Sequence, residues 1–142
     1  MRIALFGTPF SEQFTKYIQY LVSRLEEKKE QLLVYEDYLS FLKKKIKFAK
    51  KPKTFDSYET LKNNADFLFS IGGDGTLLGA VTLIRDSMIP ILGINTGRLG
   101  FISSISTDQI ESVVNDVLKQ NYQIKKRTLL CLETENNLFG EV

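Results

Sequence analysis

Phe67-Leu68-Phe69-Ser70-Ile71-Gly72-Gly73-Asp74-Gly75-Thr76 reads as a buried strand that runs straight into a glycine-rich turn with one carboxylate at its centre. Gly72, Gly73 and Gly75 can adopt positive φ and leave room for a ligand to approach the backbone, so their amides can converge on an anion. A helix is expected directly afterwards, and its unpaired N–H groups and positive dipole end suit a phosphate. A Walker loop would need a lysine followed by Ser or Thr, and neither Leu77 nor Leu78 supplies it. The stretch is therefore a phosphate loop built around an aspartate.

Downstream, Pro90-Ile91-Leu92-Gly93-Ile94 is a second buried strand, opened by a proline, and it leads into another glycine-punctuated turn, Asn95-Thr96-Gly97-Arg98-Leu99-Gly100-Phe101. Upstream, Ile3 to Phe6 is a short apolar run ended by Gly7-Thr8-Pro9, the pattern of a parallel strand and its βα turn. Phe10, Phe14, Tyr17, Ile18, Leu21, Val22 and Leu25 then fall on one face of a helix, with Ser11 as its N-cap. Leu32 to Tyr35 reads as a strand, and Tyr38, Leu42 and Ile46 as a short helix after it. A turn of helix is expected from Ser57 to Leu61. From Thr76 to Ile84 the chain is apolar nearly all round, which predicts a buried helix with Gly79 as a close packing point. Thr107 or Asp108 caps an amphipathic helix through Ile110, Val113, Val114, Val117 and Leu118. Tyr122 to Thr134 mixes β-formers with charge and reads as the start of antiparallel strands.

This alternation predicts an α/β fold: an open, mostly parallel sheet with helices on both faces. Ligands of such sheets bind beyond the carboxyl ends of the strands, so both glycine turns should open into one crevice. Residues 1–121 are expected to form the α/β nucleotide-binding domain that carries the Gly-Gly-Asp-Gly turn, with 122–142 as a β-rich stretch after it.

At 142 residues the chain is long enough for one real core, and a net charge of +2 does not argue for nucleic acid or membrane. Lys43, Lys44, Lys45, Lys47, Lys50, Lys51 and Lys53 crowd one stretch that can steer a polyphosphate or be simply a solvated, mobile loop; the second reading is preferred. With a single cysteine, Cys131, and no histidine there is no internal disulfide, no His/Cys zinc cluster and no Ser-His or Cys-His pair. Any general base is a carboxylate, Lys or Tyr, and Cys131 reads as a small buried residue. The first apolar run is too short for a signal peptide or a membrane span, which predicts a cytoplasmic protein.

Phosphoryl transfer needs phosphates held in line, charge neutralised and the attacking hydroxyl oriented, and a glycine loop with one carboxylate meets much of this. Asp74 can accept the proton of a hydroxyl or hold magnesium, and its residue type and position suit both roles. A helix N-terminus should lower its pKa, leaving it ionised but weakly basic. Competing readings are a plain tight turn capped by Asp74 or Thr76, and a dehydrogenase-type fingerprint from Gly73, Gly75 and Gly79, in which the third glycine is one position late. In the second turn, Phe101 can stack on a nucleobase, Asn95 can bond ligand hydroxyls or phosphates, and Arg98 can meet a phosphate; alternatively Leu99 and Phe101 are core and Arg98 faces solvent.

Taken together, Gly72-Gly73-Asp74-Gly75-Thr76 and Asn95-Thr96-Gly97-Arg98-Leu99-Gly100-Phe101 resemble the N-terminal half of an NAD kinase. The first turn alone is shared with diacylglycerol and sphingosine kinases and, loosely, with phosphofructokinases. The second narrows the resemblance, which extends from Arg2 to about Leu132, where Arg127-Thr128-Leu129-Leu130 resembles the family's entry into its second domain. The resemblance implies transfer of a phosphoryl group from ATP, in some members polyphosphate, to the 2′-hydroxyl of the adenosine ribose of NAD, giving NADP. It implies Asp74 as the residue that activates the hydroxyl, Gly72, Gly73 and Gly75 as the phosphate turn, and Phe101 beside the adenine; Thr76, Asn95, Gly97 and Arg98 join the candidate nucleotide site by their chemistry and their place in the two turns. Magnesium, with no residue assigned as its ligand, and a homo-oligomer (a dimer or a tetramer) are implied in the same way. The resemblance implies that 122–142 begin the family's β-rich second domain, whose Asn-Glu or Asn-Asp pair Asn136-Asn137 does not supply, so the chain is expected to be a partial, inactive fragment. The alternatives are a non-catalytic dinucleotide-binding module and a lipid kinase.

Overall fold

The computed structural model describes residues 1–97, 100–103 and 105–129. Six parallel strands form one sheet: β1 (Arg2–Gly7), β2 (Gln31–Tyr35), β3 (Lys53–Phe55), β4 (Phe67–Ile71), β5 (Ile91–Asn95) and β6 (Ile105–Ser106), in the order β3-β2-β1-β4-β5-β6. The helices are α1 (Thr15–Glu27), α2 (Glu36–Leu42), α3 (Tyr58–Leu61), α4 (Asp74–Ile84) and α5 (Ile110–Leu118). The expected α/β architecture is present, with helices on both faces. Among the described residues no helix is long and apolar enough to cross a membrane.

Alternate residues of the central strands go to opposite faces, and both faces are covered, which is why these strands read as unbroken apolar runs. On one face Ile3, Leu5, Phe67, Phe69 and Ile94 meet Ile18, Leu21 and Leu25 of α1, Leu42 of α2, and Val114 and Val117 of α5. On the other, Ala4, Leu33 and Leu68 pack with Phe55, Leu61, Ala80 and Ile89. The registers Ile3↔Phe67 and Leu5↔Phe69 join the halves of the sheet, and Ser70↔Gly93 continues it to β5.

The strand order reverses direction between β1 and β4, so the loops leaving their carboxyl ends part company and open a crevice. Gly7-Thr8 leaves β1 there, and Gly72-Gly73 leaves β4 beside it. A side chain at Gly7 would lie 2.7 Å from the Ile71 carbonyl oxygen and 2.6 Å from Cζ of buried Tyr38, so the two strands close up at this edge only around glycine.

Several local expectations are corrected. α4 is not a buried helix: Ala80 alone is fully buried, and Leu78 is 51% exposed. It lies across the sheet on one side only, and an all-round apolar sequence does not say which elements cover its outer face. Gly79 permits ordinary rather than unusual packing, since a Cβ there would stand 3.5 Å from Phe6. Ser11 makes no side-chain cap and precedes a 3-10 turn over Glu12–Phe14 instead. The turn that starts the last helix is capped one residue early, where the Gln109 Oε1 accepts the Ser106 N–H at 3.1 Å. β3 and β6 are too short for periodicity to reveal in the sequence.

The lysine-rich stretch is solvated as expected, but its backbone is pinned along α1. Gln19 accepts the Lys47 N–H at 2.7 Å and donates to its carbonyl at 2.9 Å, and Glu26 accepts the N–H groups of Ala49 and Lys50 at 3.0 and 3.1 Å. Residues 121–129 have no regular secondary structure, and the ring of Tyr122 meets Phe67 edge-on at 5.5 Å. The rest of the expected β-rich segment, with Cys131 and Asn136-Asn137, lies outside the described residues, as do Arg98 and Leu99.

Candidate functional site

β4 delivers Gly72 to the crevice with φ of 155°, a conformation that side chains rarely adopt. A Cβ there would also fall 2.2 Å from Thr76 Oγ1 and 2.9 Å from Thr8 Oγ1. Those two hydroxyls pair at 3.1 Å across the switch point, joining the β1 turn to the first turn of α4. Of the three glycines expected to use positive φ, only Gly72 does. Gly73 is the extended N-cap of α4 and Gly75 lies in its first turn; a Cβ on either would meet nothing within 4 Å. Their backbone borders open space at a helix start whose first N–H groups lack intrahelical partners.

The second turn comes to the same place. Gly72 N–H donates to the Ile94 carbonyl at 2.9 Å, which sets the ends of β4 and β5 side by side. From the far side of that turn, the N–H groups of Phe101, Ile102 and Ser103 all donate to the Asp74 carboxylate, at 2.7, 3.1 and 2.8 Å. These bonds, those of Ser103 and Phe101 foremost, hold the Asp74 carboxyl below its ordinary value, with burial opposing and the Ile102 bond adding to them. The expected direction is present, with donors from a distant turn as its cause. Asp74 is thus an ionised acceptor at neutral pH, suited to orienting a hydroxyl more than to removing its proton.

Over residues 3–122 the sequence matches the profile of the ATP-NAD kinase N-terminal domain. The chain belongs to the NAD kinase family. Curated NAD kinases of Christiangramia forsetii and Cytophaga hutchinsonii are 36% and 37% identical over 142 residues, all of this chain and 48% and 49% of theirs. That of Flavobacterium psychrophilum is 38% identical over 97% of this chain and 47% of its own. The chain therefore spans about half the length of these relatives. Among solved structures, yeast NADH kinase complexed with NADH superimposes with a TM-score of 0.66 at 20% identity, over 82% of this chain and 37% of that one, a likeness of fold.

Within this NAD kinase domain the residues singled out from sequence take different places. Asp74, Gly72, Gly73, Gly75 and Thr76 gather at the start of α4. Phe101 stands beside Asp74 through its backbone while its side chain is 101% exposed, free of any core. Asn95 is 5% exposed and turned inward: its Oδ1 accepts the Gly97 N–H at 2.7 Å and its Nδ2 donates to the Ser103 carbonyl at 3.2 Å. Asn95 and Gly97 thus frame the second turn.

Three residues of the site escaped sequence reasoning. Ser103, 0% exposed, donates its hydroxyl to the Gly72 carbonyl at 3.3 Å and its N–H to Asp74, but nothing distinguishes it from Ser104 beside it in the sequence. Thr8 had a weak signal, its place directly after the glycine that ends β1. Gly100 had a stronger one, as a glycine in the second turn, but the atom it makes room for is 26 positions upstream: a Cβ at 100 would lie 2.2 Å from Asp74 Oδ1.

Proposed function

We propose that this chain is the nucleotide-binding part of an enzyme that transfers the γ-phosphoryl group of ATP to the 2′-hydroxyl of the adenosine ribose of NAD, giving NADP and ADP. The observation that carries the reading is the meeting of both glycine turns at one ionised carboxylate on the sheet's carboxyl edge. A carboxylate offers about four lone-pair positions. The turn takes up three bonds at Asp74, leaving acceptor capacity for the attacking hydroxyl. The 2′-oxygen forms the new P–O bond as the bond from the γ-phosphorus to the β–γ bridging oxygen breaks, and the hydroxyl proton leaves by way of Asp74 or solvent.

The open backbone at Gly73 and Gly75 suits the phosphates. The exposed ring of Phe101 suits the adenine face. Thr76, paired with Thr8, lines the same crevice, Asn95 and Gly97 hold the second turn in shape, and Arg98 is assigned to a phosphate on its sequence position alone. Magnesium would accompany ATP as its counter-ion; among the described residues there is no group of three His, Cys, Asp or Glu side chains able to hold a metal ion. The family resemblance further supports a β-rich second domain and assembly as a dimer or tetramer, and the short first apolar run supports a cytoplasmic setting.

The test is NADP formation from ATP, magnesium and NAD by the intact protein carrying this domain. Asp74→Asn should lower turnover by about 10²- to 10⁴-fold. Unchanged turnover removes Asp74 from the reaction. NAD binding with no phosphoryl transfer would make the domain a non-catalytic dinucleotide binder, a reading that the strand order alone also suits. Phosphorylation of diacylglycerol or a sphingoid base in place of NAD would make it a lipid kinase.

A further inference from the structure

A fully exposed aromatic ring has no packing to hold it, so where Phe101 stands is decided by its backbone. That backbone is attached at one point to the rigid start of α4, through the 2.7 Å bond from the Phe101 N–H to Asp74 Oδ2. Ile102 and Ser103 donate to the other oxygen, Oδ1, at 3.1 and 2.8 Å. Beyond Ser103 the turn is anchored to the strands by the Ser103 hydroxyl on the Gly72 carbonyl and by Asn95 on the Ser103 carbonyl. Before Phe101, residue 100 passes so close that an added Cβ would stand 2.2, 2.5 and 2.7 Å from Asp74 Oδ1, Cγ and Oδ2.

We propose that the Asp74 carboxylate, besides facing the acceptor hydroxyl, is the clasp that folds residues 100–103 and thereby sets the position of Phe101, with Gly100 as the positioning residue that lets the clasp close. The part concerning the acceptor rests on the NAD kinase reading above; the clasp itself does not. An asparagine at 74 keeps one acceptor oxygen and turns an NH₂ group toward N–H donors, so Asp74→Asn opens the turn as well as altering the reacting group. Gly100→Ala leaves the carboxylate intact and displaces it sterically.

Amide hydrogen exchange in the intact protein tests the clasp. Both Asp74→Asn and Gly100→Ala should speed exchange at Phe101, Ile102 and Ser103 by about tenfold or more, while amides of β1 and β4 keep their protection. Unchanged exchange at all three in a folded variant overturns the proposal. If Asp74→Asn loses protection throughout the sheet, Gly100→Ala decides alone. NAD affinity then separates positioning from general loosening. Gly100→Ala should weaken NAD binding by about tenfold in the wild-type background and by much less in Phe101→Ala, because both changes remove one contact. Fully additive losses overturn the link through Phe101. A wild-type protein that does not bind NAD defeats the kinase reading and leaves the exchange result standing.

Discussion

Backbone N–H donors hold Asp74 ionised against the opposing effect of burial, and its behaviour with pH follows from that. Its folded pKa is depressed by the N–H groups of Ser103 and Phe101 and then that of Ile102. A depressed carboxylate pKa contributes stability that is fully present above the unfolded value, about 3.9, and is lost as pH falls through the folded value. The amide resonance of Phe101, followed from neutral pH into acid, should therefore shift with a midpoint below about 3.9. A midpoint at or above that value would mean the three donors do not hold the carboxylate. Asp66 responds in the same direction, because the Arg2 side chain and backbone N–H bond to it. A lowered pKa at Asp74 was legible from its place at a helix start. Its main cause was not, since the donors lie 27 to 29 positions downstream.

At the scale of the element, a stripe of apolar residues identified which helices pack and a run identified which strands are buried, but the outer surface of each had to be seen. Leu21, Val22 and Leu25 of α1 are all 0% exposed, as their spacing required. In α4 the same arithmetic failed, because a helix that is apolar all round gives no preferred face and only the sheet's position chose Ala80 over Leu78. Leu21→Ala should accordingly destabilise the domain by about 2–5 kcal/mol. Leu78→Ser should change stability by less than about 0.5 kcal/mol. Urea denaturation of the two variants checks both; equal losses would show that α4 is packed as tightly as α1. The cap of the last helical turn lies at Ser106 because Gln109 reaches back to it, whereas Thr107 and Asp108 offer the same capping chemistry in sequence.

Across the whole molecule, the lysine-rich stretch shows how a segment without apolar periodicity acquires order from its neighbours. Glu26 of α1 accepts the N–H groups of Ala49 and Lys50, and Gln19 brackets Lys47. Glu26→Ala should cost about 1 kcal/mol, seen as a lower thermal midpoint together with faster exchange at Ala49 and Lys50. No change in either would mean the stretch is held by its side chains alone. Legible in the chain alone are the α/β class, two glycine turns that follow buried strands onto one edge, an aspartate in the first of them, and the family those turns resemble. Each of these rests on apolar runs or residue types that are local in the chain. The strand order, the open flank of α4, and the closure of the second turn upon Asp74 through Gly100 and Ser103 arise only on folding. Those depend on which buried faces match across long separations, and on hydrogen-bond donors that reach the carboxylate only after β4 and β5 have paired.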